Sequence, residues 1–132
     1  MDKAIKVLVV DDEADFRQVM TVWLKSKGYL VITAPDGEHA IEAVKKEKPD
    51  IVFMDLRMPV MDGSDTIKKI RQFDKDTPII IISAYLDDPK IKEVKTSYIS
   101  GIFNKRDDFD KGLNLLECVL RTHKRFKDRT CK

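Results

Sequence analysis

The sequence predicts an α/β protein built on one parallel five-stranded sheet with helices on both faces, and three observations predict it. Five short apolar runs, mostly β-branched, lack the alternation of a half-exposed strand, as strands covered on both faces do. Between and after them lie five segments whose apolar residues recur at spacings of three and four, the period of an amphipathic helix. Several runs end at acidic or polar residues followed by turn formers. Alternating units of this length take right-handed crossovers, which bring the C-terminal ends of all the strands to one edge.

In chain order, Ala4 to Val10 is the first strand and ends in Asp11-Asp12-Glu13. Phe16, Val19, Met20, Trp23 and Leu24 keep helical spacing up to Gly28, a helix stop. Tyr29 to Ala34 is the second strand, and Asp36 is a turn residue in Pro35-Asp36-Gly37. Ala40, Ile41 and Val44 mark the second helix, ended by the Lys-rich run before Pro49. The third strand, Ile51 to Met54, stops at Asp55, and Pro59 and Gly63 impose irregular backbone behind it. Asp62 or Ser64 caps a third helix with Ile67, Ile70 and Phe73 on its inner face. Ile79 to Ile82 is the most apolar strand and runs into Ser83-Ala84. Asp87 or Asp88 before Pro89 starts a weak fourth helix carrying Ile91 and Val94. Ile99 to Phe103 is a shorter fifth strand ending near Lys105, and Phe109, Leu113, Leu116 and Leu120 form the stripe of the last helix.

A chain of 132 residues holds one domain with a true core. At 42% hydrophobic and 36% charged it is globular rather than disordered. The net charge of +2 makes no case for nucleic acid, although Arg121 to Lys132 carries six Lys/Arg against one Asp. Such a block reads as a basic C-terminal tail over 123–132, a helix end or a linker, behind a domain over 1–122. Cys118 and Cys131 make no disulfide framework, so a reduced, cytoplasmic setting is the default. The apolar run Val7 to Val10 is far too short for a membrane span or a signal-peptide core.

The residues at the C-terminal strand ends are Asp11-Asp12, Asp36, Asp55, Ser83-Ala84 and Lys105. In a flavodoxin-like doubly wound order, 2-1-3-4-5, the first and third strands meet at the switch point, so Asp11, Asp12 and Asp55 converge. Clustered carboxylates repel one another and take up protons unless a cation compensates. Oxygen-only donors in a shallow site suit Mg²⁺ better than a closed Ca²⁺ cage, and the lack of His or Cys argues against zinc. Ser83 adds a hydroxyl donor and Lys105 a positive charge, which together describe an oxyanion site facing a metal. Asp55 is then placed to serve as a nucleophile in phosphoryl transfer. Asp11 or Asp12 is also suited to capping the first helix.

These residues, with the run Asp55-Leu56-Arg57-Met58-Pro59-Val60-Met61-Asp62-Gly63, resemble the receiver domain of bacterial two-component response regulators of the chemotaxis-regulator type. The resemblance covers about residues 4 to 122. It implies that Asp55 is the phosphoacceptor for a histidine kinase or a histidine phosphotransfer protein. It further implies Mg²⁺ held by Asp12, Asp55 and the backbone carbonyl of Arg57, with Asp11 acting mostly through a water. Lys105 would pair with the phosphoryl group, and Ser83, beside Ala84, would rotate towards it on activation. Arg57 and Tyr85 occupy positions that border the phosphoryl site and tune hydrolysis in the family.

The chain departs from the family in three places. Lys105 is followed by Arg106 where a cis proline is usual. A non-proline cis bond costs about 2.5–4 kcal/mol, so a trans peptide and a less firmly held lysine are expected. Ile102 stands at the switch position, usually Tyr or Phe, so any switch there is packing alone. Tyr98-Ile99 replaces the usual Gly-Ala. All three lie on the fourth helix, fifth strand and fifth helix, which family members use for dimerisation or output. Trp23, Met58 and Met61 read as packing residues, Phe16 and Met20 as core with a possible kinase-facing edge, and His39 and His123 have no assigned role.

The expected function is an Mg²⁺-dependent phosphoacceptor switch in phosphorelay signal transduction, which catalyses only its own phosphorylation and dephosphorylation. Its downstream partner is a protein effector or a fused output domain, with no membrane contact and no direct contact with nucleic acid. Two rivals stand beside it. A haloacid-dehalogenase-type phosphatase would need an aspartate two residues after Asp55, where Arg57 stands. A degenerate receiver would keep the fold and serve as a phosphorylation-independent scaffold, a reading that Arg106 and Ile102 leave open.

Overall fold

The computed structural model describes residues 4–123. Apart from His123, the basic segment expected over 123–132 lies outside the described residues, as does Cys131. The strands are β1 (Lys6–Val10), β2 (Leu30–Ala34), β3 (Ile51–Asp55), β4 (Ile79–Ser83) and β5 (Gly101–Asn104). The helices are α1 (Ala14–Ser26), α2 (Gly37–Glu47), α3 (Gly63–Phe73), α4 (Pro89–Lys92) and α5 (Phe109–Thr122), with a single 3₁₀ turn at Thr96–Tyr98. All neighbouring strands are parallel, in the order β2-β1-β3-β4-β5. The expected flavodoxin-like topology is therefore the one the chain adopts. No helix among the described residues is long and apolar enough to cross a membrane.

Strand residues two apart share a face, which divides the core. Leu8, Val10, Val52, Met54, Ile79 and Ile81 meet Ala40 and Val44 of α2 and Ile67 and Ile70 of α3. Val7, Val9, Ile51, Phe53, Ile80 and Ile82 meet Met20 and Leu24 of α1 and Leu116, Val119 and Leu120 of α5. Every residue of β3 and β4 is buried, as the unalternated runs predicted, whereas the edge strands β2 and β5 are not. The sheet centre thereby carries its polar strand ends, Asp55 and Ser83, into a buried setting.

The sequence misplaced several details. Phe73, expected on the inner face of α3, is 43% exposed at the helix end, where the ammonium of Lys45 stands 4.9 Å from its ring centroid. Val19 is half exposed, because the inward stripe of α1 runs through Met20 and Leu24. Trp23 packs on Phe109 at 5.0 Å between ring centroids, in line with its packing assignment. The fifth strand begins at Gly101 rather than Ile99, since the 3₁₀ turn holds the chain up to Tyr98. The fourth helix spans only four residues, so Val94 packs into the core from beyond its end. Polar residues on either side of Val94 leave that segment too little apolar surface to extend a buried helical stripe.

Gly28 ends α1 as expected. It has φ +94°, a left-handed conformation open to glycine, and Gly28 N–H and Tyr29 N–H bond back to the carbonyls of Lys25 and Leu24.

Candidate functional site

Four of the five strands deliver a charged or polar side chain to the same edge of the sheet. Asp11 follows β1 and is fully buried, Asp55 closes β3 at 5% exposure, Ser83 closes β4 and Lys105 follows β5. Asp11, Asp12 and Asp55 each place a carboxylate oxygen within 4.8 Å of the others. The expected convergence of these three residues is thus met in the fold.

Asp11 is committed on one side only. Its Oδ1 accepts the Glu13 N–H at 2.9 Å, while its buried Oδ2 lacks a directional hydrogen bond and faces the Lys105 ammonium at 2.7 Å. Neither Asp11 nor Asp12 is the N-cap of α1. Glu13 holds that position, without a side-chain bond to the helix. Glu13 instead accepts from Lys105 Nζ at 2.9 Å. The Lys105 ammonium also lies 3.7 Å from Asp55 Oδ2 and 4.8 Å from the centroid of the Phe16 ring. The Lys105-Arg106 peptide is trans, as expected without proline. The expectation of a loosely held lysine fails, because carboxylates from two strand ends and an aromatic face fix it without help from the next peptide.

Burial, followed by the charge of Asp11, pushes the Asp55 carboxyl up to about 7, against the opposing pull of Lys105 and the Arg57 N–H. Burial raises Asp11 as well. For Lys105, burial disfavours the charge, but the carboxylates of Asp11 and Glu13 beside it outweigh that effect and raise its pKa. Negative charge is in excess, and one buried oxygen has no directional donor. The donor set is all oxygen and opens on a cavity of about 350 Å³ lined by Asp12, Asp55, Arg57, Ser83 and Lys105 among others. These features fit a hard divalent cation such as Mg²⁺ and do not fit zinc.

A stability measurement follows from the Asp55 carboxyl. With no divalent cation present, the folded state binds the Asp55 proton more tightly than the unfolded chain, whose carboxyl has the ordinary value of 3.8. The contribution of this group is therefore full below about pH 4 and is lost as pH rises towards and past 7, by roughly 2–4 kcal/mol. Asp55→Asn removes this loss. In chelator, denaturant titrations should find the variant increasingly more stable than the wild type from pH 5 to pH 8. Parallel pH profiles for the two proteins would refute it.

The other predicted residues surround this centre in specific ways. The Ser83 hydroxyl donates to the Tyr85 carbonyl at 2.7 Å, so it serves its own loop. Ala84 lines the cavity beside it. Tyr85 is half exposed, and its hydroxyl accepts from Arg106, whose guanidinium lies 4.3 Å from the ring centroid. Arg57 donates its backbone N–H to Asp55 Oδ1 at 3.3 Å, and its guanidinium makes a two-point ion pair with Asp88. Ile102 is partly buried against the α2/α3 side of the core. Asp36 is outside the cluster, capping α2 through the His39 N–H at 2.9 Å.

The loop behind Asp55 is strained. Val60 has φ +69° at the centre of a γ-turn in which Met61 N–H meets the Pro59 carbonyl at 2.8 Å. For a β-branched residue this conformation is an outlier and costs about 1–2 kcal/mol. Sequence reasoning missed Glu13 as a Lys105 partner, Arg106 as a Tyr85 partner and Asp88 as the partner of Arg57. Asp88 carried only a capping signal, and no local pattern pairs residues 31 positions apart.

A family model described as the response regulator receiver domain matches residues 7–117. Sporulation initiation phosphotransferase F of Bacillus subtilis is 33% identical over 106 residues, covering 80% of this chain and 86% of that protein. The probable transcriptional regulatory protein TcrX of Mycobacterium tuberculosis is 32% identical over 118 residues, 89% of this chain and 47% of its own length. Among solved structures, the chemotaxis response regulator CheY4 of Vibrio cholerae matches with a TM-score of 0.82 at 33% identity, covering 89% of this chain and 99% of that one. The chain spans less than half the length of several curated relatives that it matches.

Proposed function

Because this chain belongs to the response regulator receiver domain family, we propose that it is a phosphoacceptor switch in phosphorelay signalling. Asp55 takes the phosphoryl group from a phosphohistidine of a histidine kinase or a histidine phosphotransfer protein. The observation that carries this reading is the setting of Asp55, a buried carboxylate clustered with two further carboxylates and a fixed ammonium.

In the transfer, an Asp55 carboxylate oxygen attacks phosphorus, a P–O bond forms and the P–N bond breaks. The imidazole departs and takes a proton from solvent. Asp12, Asp55 and the Arg57 carbonyl would hold Mg²⁺, with Asp11 acting through a water, and the bound ion would neutralise charge on the carboxylates and the phosphoryl oxygens. Lys105 already stands 3.7 Å from Asp55 Oδ2 and needs only a small shift to pair with the phosphoryl group. Ser83 must exchange the Tyr85 carbonyl for a phosphoryl oxygen, which couples the site to the β4–α4 loop. Ile102 responds by packing alone. Arg57 and Tyr85 border the cavity and restrict water.

The chain turns over no diffusible substrate in this reading and works in the cytoplasm. Its output is a protein contact or a fused effector, with α4, β5 and α5 as the surface for output or for a homodimer. The receiver unit spans 1–122 and is followed by the basic segment 123–132.

The test is intact mass after incubation with acetyl phosphate, in Mg²⁺, in chelator, and for Asp55→Asn. A gain of one phosphoryl group only in wild type with Mg²⁺ is the expected result. A folded wild type without mass gain would transfer the weight to a phosphorylation-independent scaffold.

A further inference from the structure

The segment after β4 is bound to the loop behind Asp55 more by charge than by apolar burial. No residue of α4 is buried, and only Ile91, in part, and Val94 beyond the helix reach the core. Polar ties cross from this segment instead. Asp88 accepts from Arg57 Nε and Nη2 at 2.8 and 2.7 Å, Lys90 donates to Asp62 at 2.8 Å, and Glu93 lies 3.5 Å from the Ser64 hydroxyl. The first tie is the most deeply anchored: the Asp88 side chain is 4% exposed, while that of Arg57 is 60% exposed. Asp88 is also the N-cap of α4 and accepts the Lys90 N–H at 2.9 Å. Arg57 and Asp88 line the same cavity as Asp55, Ser83 and Lys105. Arg57 thus joins the two: its backbone N–H bonds the phosphoacceptor Asp55, and its guanidinium holds the cap of α4.

We propose that Asp88 is a positioning residue for the phosphoryl site: it competes with a phosphoryl group on Asp55 for the Arg57 guanidinium, and loss of that guanidinium releases the start of α4. The inference rests on Asp55 as phosphoacceptor. A phosphoryl group offers close to two negative charges and three acceptor oxygens, against a single carboxylate at Asp88. Arg57 is exposed and free to turn, whereas Asp88 would remain behind as a buried carboxylate without its two-point partner. Such a group moves towards water and takes its cap with it. The Lys90–Asp62 pair, a single contact between partly exposed side chains, is too weak to hold α4 alone. By reciprocity, weakening the hold of Asp88 on Arg57 favours the phosphorylated state.

Hydrogen exchange at the amides of residues 87–95 tests this, in wild type and Asp88→Asn, before and after phosphorylation by acetyl phosphate with Mg²⁺. Asparagine keeps an oxygen for the Lys90 N–H and drops the charge. Wild-type exchange should speed up about tenfold on phosphorylation, while Asp88→Asn exchanges fast in both states and, with the Arg57 guanidinium already released to pair with the phosphoryl oxygens and keep water off them, holds its phosphate roughly three- to tenfold longer. Asp88→Glu, which restores the charge, should move both readouts back towards wild type. Exchange unchanged or slowed in phosphorylated wild type overturns the competition. Faster exchange in Asp88→Asn with an unaltered phosphate lifetime also overturns it, leaving Asp88 a structural cap. A wild type that gains no phosphoryl mass overturns the phosphoacceptor reading, and the competition with it, whereas phosphorylated protein with either of the other results overturns the competition alone.

Discussion

Gly63→Ala should destabilise the protein by about 3 kcal/mol or more, a fall of roughly 10 °C in Tm, and should slow phosphorylation of Asp55. Gly63 begins α3 directly against the end of β3, with its N–H on the Leu56 carbonyl at 2.8 Å. An added Cβ would collide with the Asp55 carbonyl oxygen and stand 2.8 Å from Leu56 Cα and 3.0 Å from the Asp55 carbonyl carbon. All three obstacles are backbone of the strand end that carries the carboxylate, so no side-chain rotation relieves them. Either α3 withdraws, opening the contacts of Ile67 and Ile70, or the strand end shifts and Asp55 leaves the Asp11/Asp12 cluster. Thermal denaturation in chelator and acetyl phosphate kinetics separate the two routes. A Tm within 2 °C of wild type, with normal kinetics, would refute the close approach as a constraint; that margin is about 0.5 kcal/mol.

Arg71→Met should cost about 2–3 kcal/mol and loosen the chain before β5. Arg71 is 6% exposed on α3, and its guanidinium donates to backbone carbonyls: Tyr98 at 3.1 and 2.6 Å and Asp74 at 3.0 Å. Two effects oppose each other. Burial disfavours the cation and lowers its pKa, so methionine of similar length recovers some desolvation energy. Against this, the Tyr98 and Asp74 carbonyls lose charge-assisted donors, and the second effect wins because several bonds end on one side chain. Denaturant unfolding should show the loss, and hydrogen exchange over residues 96–101 should accelerate more than elsewhere. Arg71→Lys should fall between, since a single ammonium cannot reproduce the fork. Unchanged exchange in that window would remove Arg71 as the tie.

The same residue shows where sequence reasoning stops. Arg71 reads locally as a surface charge on an amphipathic helix, and only the arrival of Tyr98 from a segment 27 residues away makes it a buried anchor. Asp88 read as a helix cap, which it is, but its ion pair with Arg57 spans 31 residues and joins two loops that meet only once β3 and β4 pair. Phe73 was misassigned to the inner face because helical spacing gives a direction without showing where the neighbouring helix ends. Lys105 was expected to be loose for want of a proline, whereas the partners that hold it, Asp11, Glu13 and Phe16, lie some 90 residues earlier.

What the sequence determined by itself was everything set by short-range pattern. Unalternated β-branched runs separated by helical periods specified a parallel sheet, and right-handed crossovers then placed Asp11, Asp12, Asp55, Ser83 and Lys105 on one edge. What only the tertiary structure decided was the pairing of charges at that edge: which carboxylate oxygen is left without a donor, which ammonium faces it and which guanidinium is held by Asp88. The reason is physical. Burial of apolar strands and helices depends on periodicity, which a linear chain displays, whereas ion pairs depend on distances of a few ångströms between residues far apart in the chain, which exist only after the sheet has formed.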